Sequence, residues 1–185
     1  MPKAALFLAA VAPVLAACGP SISVSGRPEP VPQGAPIALL GMDHADPSIA
    51  DAATDSLGAA LAAMCPNLRV IDHTTVAEQM SAAGVVVPRQ LNRVFFEQFA
   101  TAVDAGYLLT GGISTWEKGR VHFPSAIETK VNMSLSLYDV RTAALLWSVT
   151  GEKTGGGGLL SDDPAETARK LFDDMLKKLP AFCGG

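Results

Sequence analysis

Apolar and polar positions follow two rhythms along this chain, one with a period near 3.6 residues and one with a period of two. Ile37-Ala38-Leu39-Leu40-Gly41-Met42 is a continuous apolar run, the pattern of a buried strand. Asp46-Pro47 then supplies an N-cap and a first-turn proline. Ile49, Ala53, Leu57, Ala60, Leu61 and Met64 recur at helical spacing, which predicts an amphipathic helix over 47–64 that Pro66 stops. Leu68 to Asp72 reads as a second short strand. Thr75-Val76-Ala77-Glu78 has capping-box order and opens a helix ending at Gly84. After Pro88 a further helix carries Leu91, Val94, Phe95, Phe99 and Val103 on one face and closes at Gly106.

Three strands follow, at Tyr107–Trp116, about Ile127–Val140 and Leu145–Thr150. In the middle one Ile127, Val131, Met133, Leu135 and Leu137 point one way, and Glu128, Lys130, Asn132, Ser134 and Ser136 the other. Period two with one polar face predicts a half-buried antiparallel sheet, with a turn at Asp139–Ala143. The last helix spans about Pro164–Leu179, with acidic residues at its start and Lys177-Lys178 at its end, both matching the helix dipole. The order predicts an α/β (α+β) domain: a single mixed β-sheet of about five strands covered by helices on one face. The polar strand face is left for water or a partner.

The ends of the chain read differently. Met1-Pro2-Lys3 and the apolar run Ala4–Ala17 have the layout of a secretory signal. Leu15-Ala16-Ala17-Cys18 resembles the bacterial lipobox, in which the cysteine is acylated and becomes the mature N-terminus; the other reading is an ordinary signal peptide that ends beside a cysteine. By resemblance to enterobacterial sorting, Gly19 after Cys18 implies the outer membrane. Residues 18–36, with Pro20, Pro28, Pro30, Pro32 and Pro36, read as a semi-extended tether, whose eighteen residues after Cys18 reach ~60 Å at most. The expected organisation is a signal at 1–17, lipidated Cys18 and tether at 18–36, a globular domain at 37–180 and a tail at 181–185. Cys65 and Cys183 then remain. In an oxidising periplasm they read either as a disulfide closing a long loop, worth ~4–5 kcal/mol in the chain-entropy account, or as two unrelated buried thiols.

Short motifs add a resemblance. Asp104-Ala105-Gly106-Tyr107-Leu108-Leu109-Thr110-Gly111-Gly112-Ile113 resembles a strand of the curli-secretion (CsgG-like) lipoprotein superfamily. Leu135 to Ala143, followed by Leu146-Trp147-Ser148, is similar to that superfamily's strand-turn-strand hairpin. The resemblance covers roughly residues 36–180 and implies a TolB-N-terminal/anticodon-binding-like fold. The superfamily includes the Pel-polysaccharide export lipoprotein and the penicillin-binding-protein activator lipoprotein, which are the relatives closest in layout. Two departures stand out. Ala143 replaces the usual turn glycine, which implies a less demanding turn. Glu117–Ala126 is too short to hold a hairpin of two membrane strands of ~9–11 residues each, so this chain is not expected to form a pore that way.

Composition narrows the functional classes. The chain has 185 residues, of which 49% are hydrophobic and 17% charged, with a formal net charge of -4, so it is not a disordered chain. It carries no basic stripe for nucleic acid. His44, His73 and His122 fall in unrelated segments. Asp43-His44-Ala45-Asp46 is the one stretch with chelating residue types, and it sits where a strand turns into a capped helix. Ser114 lacks a hydrolase elbow, and the Gly155–Gly158 run lacks a following Lys-Ser/Thr. The expectation is therefore no enzyme, no cofactor and no metal.

What the resemblance and the anchor imply is an accessory lipoprotein on the periplasmic face of the outer membrane. It would self-associate and assist secretion or assembly of a surface structure such as an exopolysaccharide, curli-like fibre or flagellum. Its partners would be the membrane, a second copy of itself and an export or envelope-assembly protein. The alternative is a monomeric activator of a peptidoglycan synthase. Expected contact residues are Trp116, Arg120, Glu128, Lys130 and Asn132. Trp116 reads either as a contact or as core, and Trp147 reads as core.

Overall fold

The computed structural model describes residues 20–32, 34–121, 126–155 and 163–183; the side chains at 120, 121, 126 and 127 lie outside that description, as do the segment expected to be a signal and Cys18. Six strands, β1 (Ser21–Gly26), β2 (Pro36–Asp43), β3 (Arg69–Ile71), β4 (Tyr107–Val121), β5 (Ala126–Asp139) and β6 (Ala144–Gly155), form one mixed sheet in the order β1-β6-β5-β4-β2-β3. β2 runs parallel to both β3 and β4, whereas β4, β5, β6 and β1 are antiparallel in succession. The helices are α1 (Pro47–Met64), α2 (His73–Ala82), α3 (Arg93–Ala102), α4 (Pro164–Lys177) and the single turn α5 (Pro180–Cys183).

The sheet has two cores, which corrects the expectation of helices on one face. Ile37, Leu39, Leu109, Met133, Leu135 and Val149 point toward α1 and α4 and pack with Leu57, Leu61, Leu171 and Phe172. Ala38 and Leu108, the alternate positions on the same strands, point the other way and pack with Val76, Met80, Phe95, Phe96 and Phe99 of α2 and α3. A strand covered on both faces has no polar side to present, which is why β2 reads as an unbroken apolar run. Gly151 lets α4 approach closely: a Cβ there would lie 2.8 Å from Leu171 Cδ1.

Helix starts follow capping chemistry. Asp46 accepts from the Ser48 N–H at 2.9 Å and opens α1, which spans the expected residues. α2 begins earlier than the Thr75 capping box predicts, because Asp72 caps it and takes hydrogen bonds from the Thr75 N–H, Thr75 O–H and Thr74 O–H. α3 is shorter than expected, starting from Asn92, and its Val94 is 61% exposed instead of lying on the buried face.

The larger correction concerns the tether. Residues 21–26 form β1, paired antiparallel along β6's outer edge from Ser21↔Glu152 to Gly26↔Trp147. Serine-apolar alternation in Ser21-Ile22-Ser23-Val24-Ser25 fits a half-buried edge strand, and Ile22 packs on the main core. Val31, between β1 and β2, is buried in the same core. At the C-terminus, Cys65 and Cys183 are disulfide-bonded, their Cα atoms 4.5 Å apart. This joins α5 to the end of α1 and seats Phe182 edge-on against Trp147 at 5.1 Å.

Candidate functional site

The helices on the second face, α2 and α3, cover only the β2–β4 side. Among the described residues nothing covers the rest of that face, which carries a grid of small polar side chains set by strand register. Ser136, Ser134 and Asn132 of β5 lie opposite Ser148, Thr150 and Glu152 of β6, which in turn lie opposite Ser25, Ser23 and Ser21 of β1. Thr110 and Gly112 of β4 continue two of these rows. Short hydroxyl side chains leave the surface flat, lose little rotamer entropy on contact, and both donate and accept hydrogen bonds.

Three residues at the end of this face form a charged cluster. Lys130 Nζ lies 3.1 Å from Glu152 Oε1, and Asn132 Nδ2 donates to Glu152 Oε2 at 3.3 Å. The hydrogen bond from Lys130, acting against desolvation, holds the Glu152 carboxyl below its usual pKa; the Lys130 charge and Asn132 add to it. Lys130 and Asn132 are thus brought together as contact candidates, and Glu152 joins them. Glu152 lies beyond the strand end expected at Thr150, because the apolar alternation stops at Val149 and Gly151-Glu152-Lys153-Thr154 carries no apolar side chain to mark the rest of β6, which runs to Gly155.

The other sequence-expected residues are distributed differently. Glu128 is exposed on the same edge of β5, opposite Gly119. Trp116 pairs with Val131, is half-buried against the main core and faces away from the hydroxyl grid. Trp147 is 1% exposed. The Arg120 side chain, Cys18 and His122 lie outside the described residues.

Toward α3 the open face deepens into a cleft of about 730 Å³ lined by Leu40, Asp43, Val87, Arg89, Leu91, Thr110 and Tyr138. A shallower hollow of about 370 Å³ shares Asp43 and continues over Gly112, Ser114, Asn132 and Thr150. The Thr110 hydroxyl donates to the Gly41 carbonyl at 3.2 Å, and the Ser114 hydroxyl donates to the Asn132 carbonyl at 3.3 Å. In the Asp43–Asp46 stretch the Asp46 carboxylate is committed to capping α1, and His44 Nδ1 accepts from the Asp46 N–H at 3.0 Å. Among the described residues no group of three or more His, Cys, Asp or Glu side chains is placed to hold a metal ion. Also among them, no helix is long and apolar enough to cross a membrane. What the face offers chemically is many weak hydrogen bonds over a flat area with one charged corner, the chemistry of a contact surface.

A six-stranded mixed sheet with α1 and α4 on one face and α2 and α3 on part of the other defines a single-sheet α+β domain. No protein-family model and no curated protein matches the sequence. Among solved structures, the chain is similar to the PelC dodecamer of Paraburkholderia phytofirmans, with 18% identity over 88% of this chain and 99% of that one and a TM-score of 0.56. A point variant of the same PelC, also a dodecamer, gives 20% identity over the same shares and a TM-score of 0.58. Lipoprotein GNA1162 of Neisseria meningitidis gives 16% identity over 66% of this chain and 84% of that one, with a TM-score of 0.53.

Proposed function

We propose that this chain is a non-enzymatic outer-membrane lipoprotein of the curli-secretion superfamily, which self-associates and assists export or assembly of surface material. The observation that carries the reading is the fold it shares with PelC, a protein whose solved form is a dodecamer, over 99% of that chain. Leu15-Ala16-Ala17-Cys18 supports the anchor, and the hydroxyl face with its Lys130–Asn132–Glu152 corner is the surface offered to neighbours. Acyl chains contribute ~0.8 kcal/mol per buried methylene, and two or more make the attachment durable.

β1 changes how such an anchor would act. Only Gly19 and Pro20 separate Cys18 from the sheet, a leash of ~10 Å at ~3.3–3.6 Å per residue. The domain would lie against the bilayer, and its lateral contacts would form at high effective concentration. The test is mass measurement of the full lipidated chain in detergent, together with labelled-palmitate incorporation in the parent and in Cys18→Ala. A defined oligomer and a label lost in Cys18→Ala are expected. A strictly monomeric, labelled chain that captures a peptidoglycan synthase would replace this reading with that of a synthase activator.

A further inference from the structure

The two edges of the sheet are protected unequally. On one side β3 covers only the first part of β2; beyond it, β2 carries an irregularity between Leu39 and Gly41, with Gly41 at φ 102°. The Met42 N–H there already donates to Thr54 Oγ1 of α1 at 2.9 Å. Bulges and locally satisfied backbone groups are how an edge is kept from pairing with another chain. Among the described residues β1, on the other side, shows neither. Its six residues hold no charge and no proline, it pairs with β6 residue for residue without a register shift, and its outer flank meets no strand among the described residues. Such a flank is a template for an added strand.

We propose that the added strand is β1 of a second copy, paired antiparallel about a two-fold axis at Ser23 and joining two sheets into one. The identity of the occupant follows from the strand's own order. Ser21-Ile22-Ser23-Val24-Ser25 reads the same in either direction by residue class. An antiparallel pair centred on Ser23 sets Ile22 opposite Val24 of the second copy, and Ser21 opposite Ser25. β-branched residues then meet on the helix side, where Val24 is 38% exposed beside the buried Val149, and serines meet on the open side. The row Ser134–Thr150–Ser23 continues across the joint into the same row of the second copy, and Ser136–Ser148–Ser25 runs on into Ser21–Glu152–Asn132 of that copy, so one polar face spans both sheets. A slip of one residue would turn the second sheet over and set its hydroxyl face beside this copy's helices; among the registers that keep the faces aligned, the one centred on Ser23 pairs the whole Ser21–Ser25 stretch with itself. A strand pair is a small interface beside the ~1,200–2,000 Å² of stable complexes, so pairing is weak between free copies and strong between copies held on one surface. The pairing itself does not require the anchor.

The register makes the test specific. Directly opposed residues have Cα atoms ~4.5–5.5 Å apart, inside the ~4.4–6.8 Å a disulfide spans, whereas two copies of Ser25 sit ~14 Å apart at ~3.4 Å per residue. Ser23→Cys, Ser25→Cys and Ser21→Cys are exposed changes in the full chain, and Cys65 and Cys183 are already bonded to each other. Under mild oxidation in detergent, Ser23→Cys should run mainly as a disulfide-linked dimer on non-reducing gels, with Ser25→Cys at the level of the parent. Mixing Ser21→Cys with Ser25→Cys should give a heterodimer that neither gives alone. A monomeric Ser23→Cys, or a Ser25→Cys that cross-links as strongly, overturns the proposal and leaves the edge to a strand of another protein. Palmitate labelling of the same samples reports the anchor separately, since a Ser23→Cys dimer without label would remove the anchor and keep the edge pairing.

Discussion

At Ala143 the turn between β5 and β6 takes φ to 58°, the left-handed region, where every other described residue with positive φ is a glycine. The less demanding turn expected from an alanine here is not what forms: Ala143 adopts the left-handed conformation at a steric cost of ~1–2 kcal/mol. Asp139 helps hold it, accepting from the Thr142 N–H at 2.8 Å and from its hydroxyl at 2.9 Å. Ala143→Gly removes the clash but adds ~0.5–1 kcal/mol of unfolded-state entropy, so the expected gain is ~0.5–1 kcal/mol. A urea midpoint that fails to rise would contradict the strain. Asp72 gives a second residue-scale prediction. Its bonds from the Thr75 N–H, the Thr75 hydroxyl and the Thr74 hydroxyl push its pKa well below the usual carboxylate range. A depressed folded pKa adds stability that is complete above the unfolded value of ~3.9 and disappears as pH falls through the folded one. Asp72→Ala should cost ~1 kcal/mol at pH 7, and the gap from the parent should narrow steadily below about pH 4. A gap that stays constant from pH 7 to pH 2.5 would assign the effect to packing instead.

Among the elements, those whose sequence shows one clean period were legible before the structure, and those with competing signals were not. α1 was legible to both ends because Asp46-Pro47 and Pro66 bracket a helical apolar stripe. β5 was legible because one of its faces is polar. β2 was legible as a strand, but its unbroken apolar run also meant that both faces were covered; with that weight, α2 and α3 would have been placed on the second face. β1 was hidden by its neighbours: Pro28, Pro30, Pro32 and Pro36 dominate the composition of residues 18–36, and the period-two signal in 21–25 is short. Of the contact candidates, Lys130 and Asn132 were found by alternation, and Glu152 was lost with the end of its strand. No periodicity would have shown that Trp116 packs inward. How firmly β1 is held can be measured at Gly26, whose φ is 85° and whose Cβ, if present, would lie 2.6 Å from the Leu146 carbonyl oxygen. A side chain there adds ~1–2 kcal/mol of left-handed strain on top of that overlap. In Gly26→Ala the β1–β6 amides should exchange faster while those of α1 and β5 keep their protection. Unchanged β1–β6 exchange would mean that the strand tolerates the side chain by shifting as a unit.

For the whole molecule, the disulfide is the covalent constraint, and its existence turns on a distance that no sequence pattern carries. Cys65 follows α1 and Cys183 ends α5, so the bond ties the first helix to the last turn across a separation of 118 residues. What it holds in place is the lid of the main core: Leu179 and Phe182 are fully buried, and Phe182 packs on Trp147 at the end of the β1–β6 pair. Closing a loop of that length removes unfolded-state entropy worth ~5 kcal/mol in the chain-entropy account. For a domain of this size each kcal/mol moves Tm by ~2–4 °C, so reduction should lower Tm by roughly 10–20 °C. The same loss should appear in Cys183→Ala, where no second thiol is left to re-form the bond. Because α5 packs on Trp147, releasing it should also move tryptophan emission to longer wavelength below the main transition, as the last turn detaches first. The order of events is the decisive part. If emission shifts only together with global unfolding, α5 is held by packing alone and the bond acts solely on the unfolded chain. If emission shifts first, the disulfide closes the core beside the β1–β6 pair, and the edge offered to a second copy depends on the oxidation state of a bond at the far end of the chain.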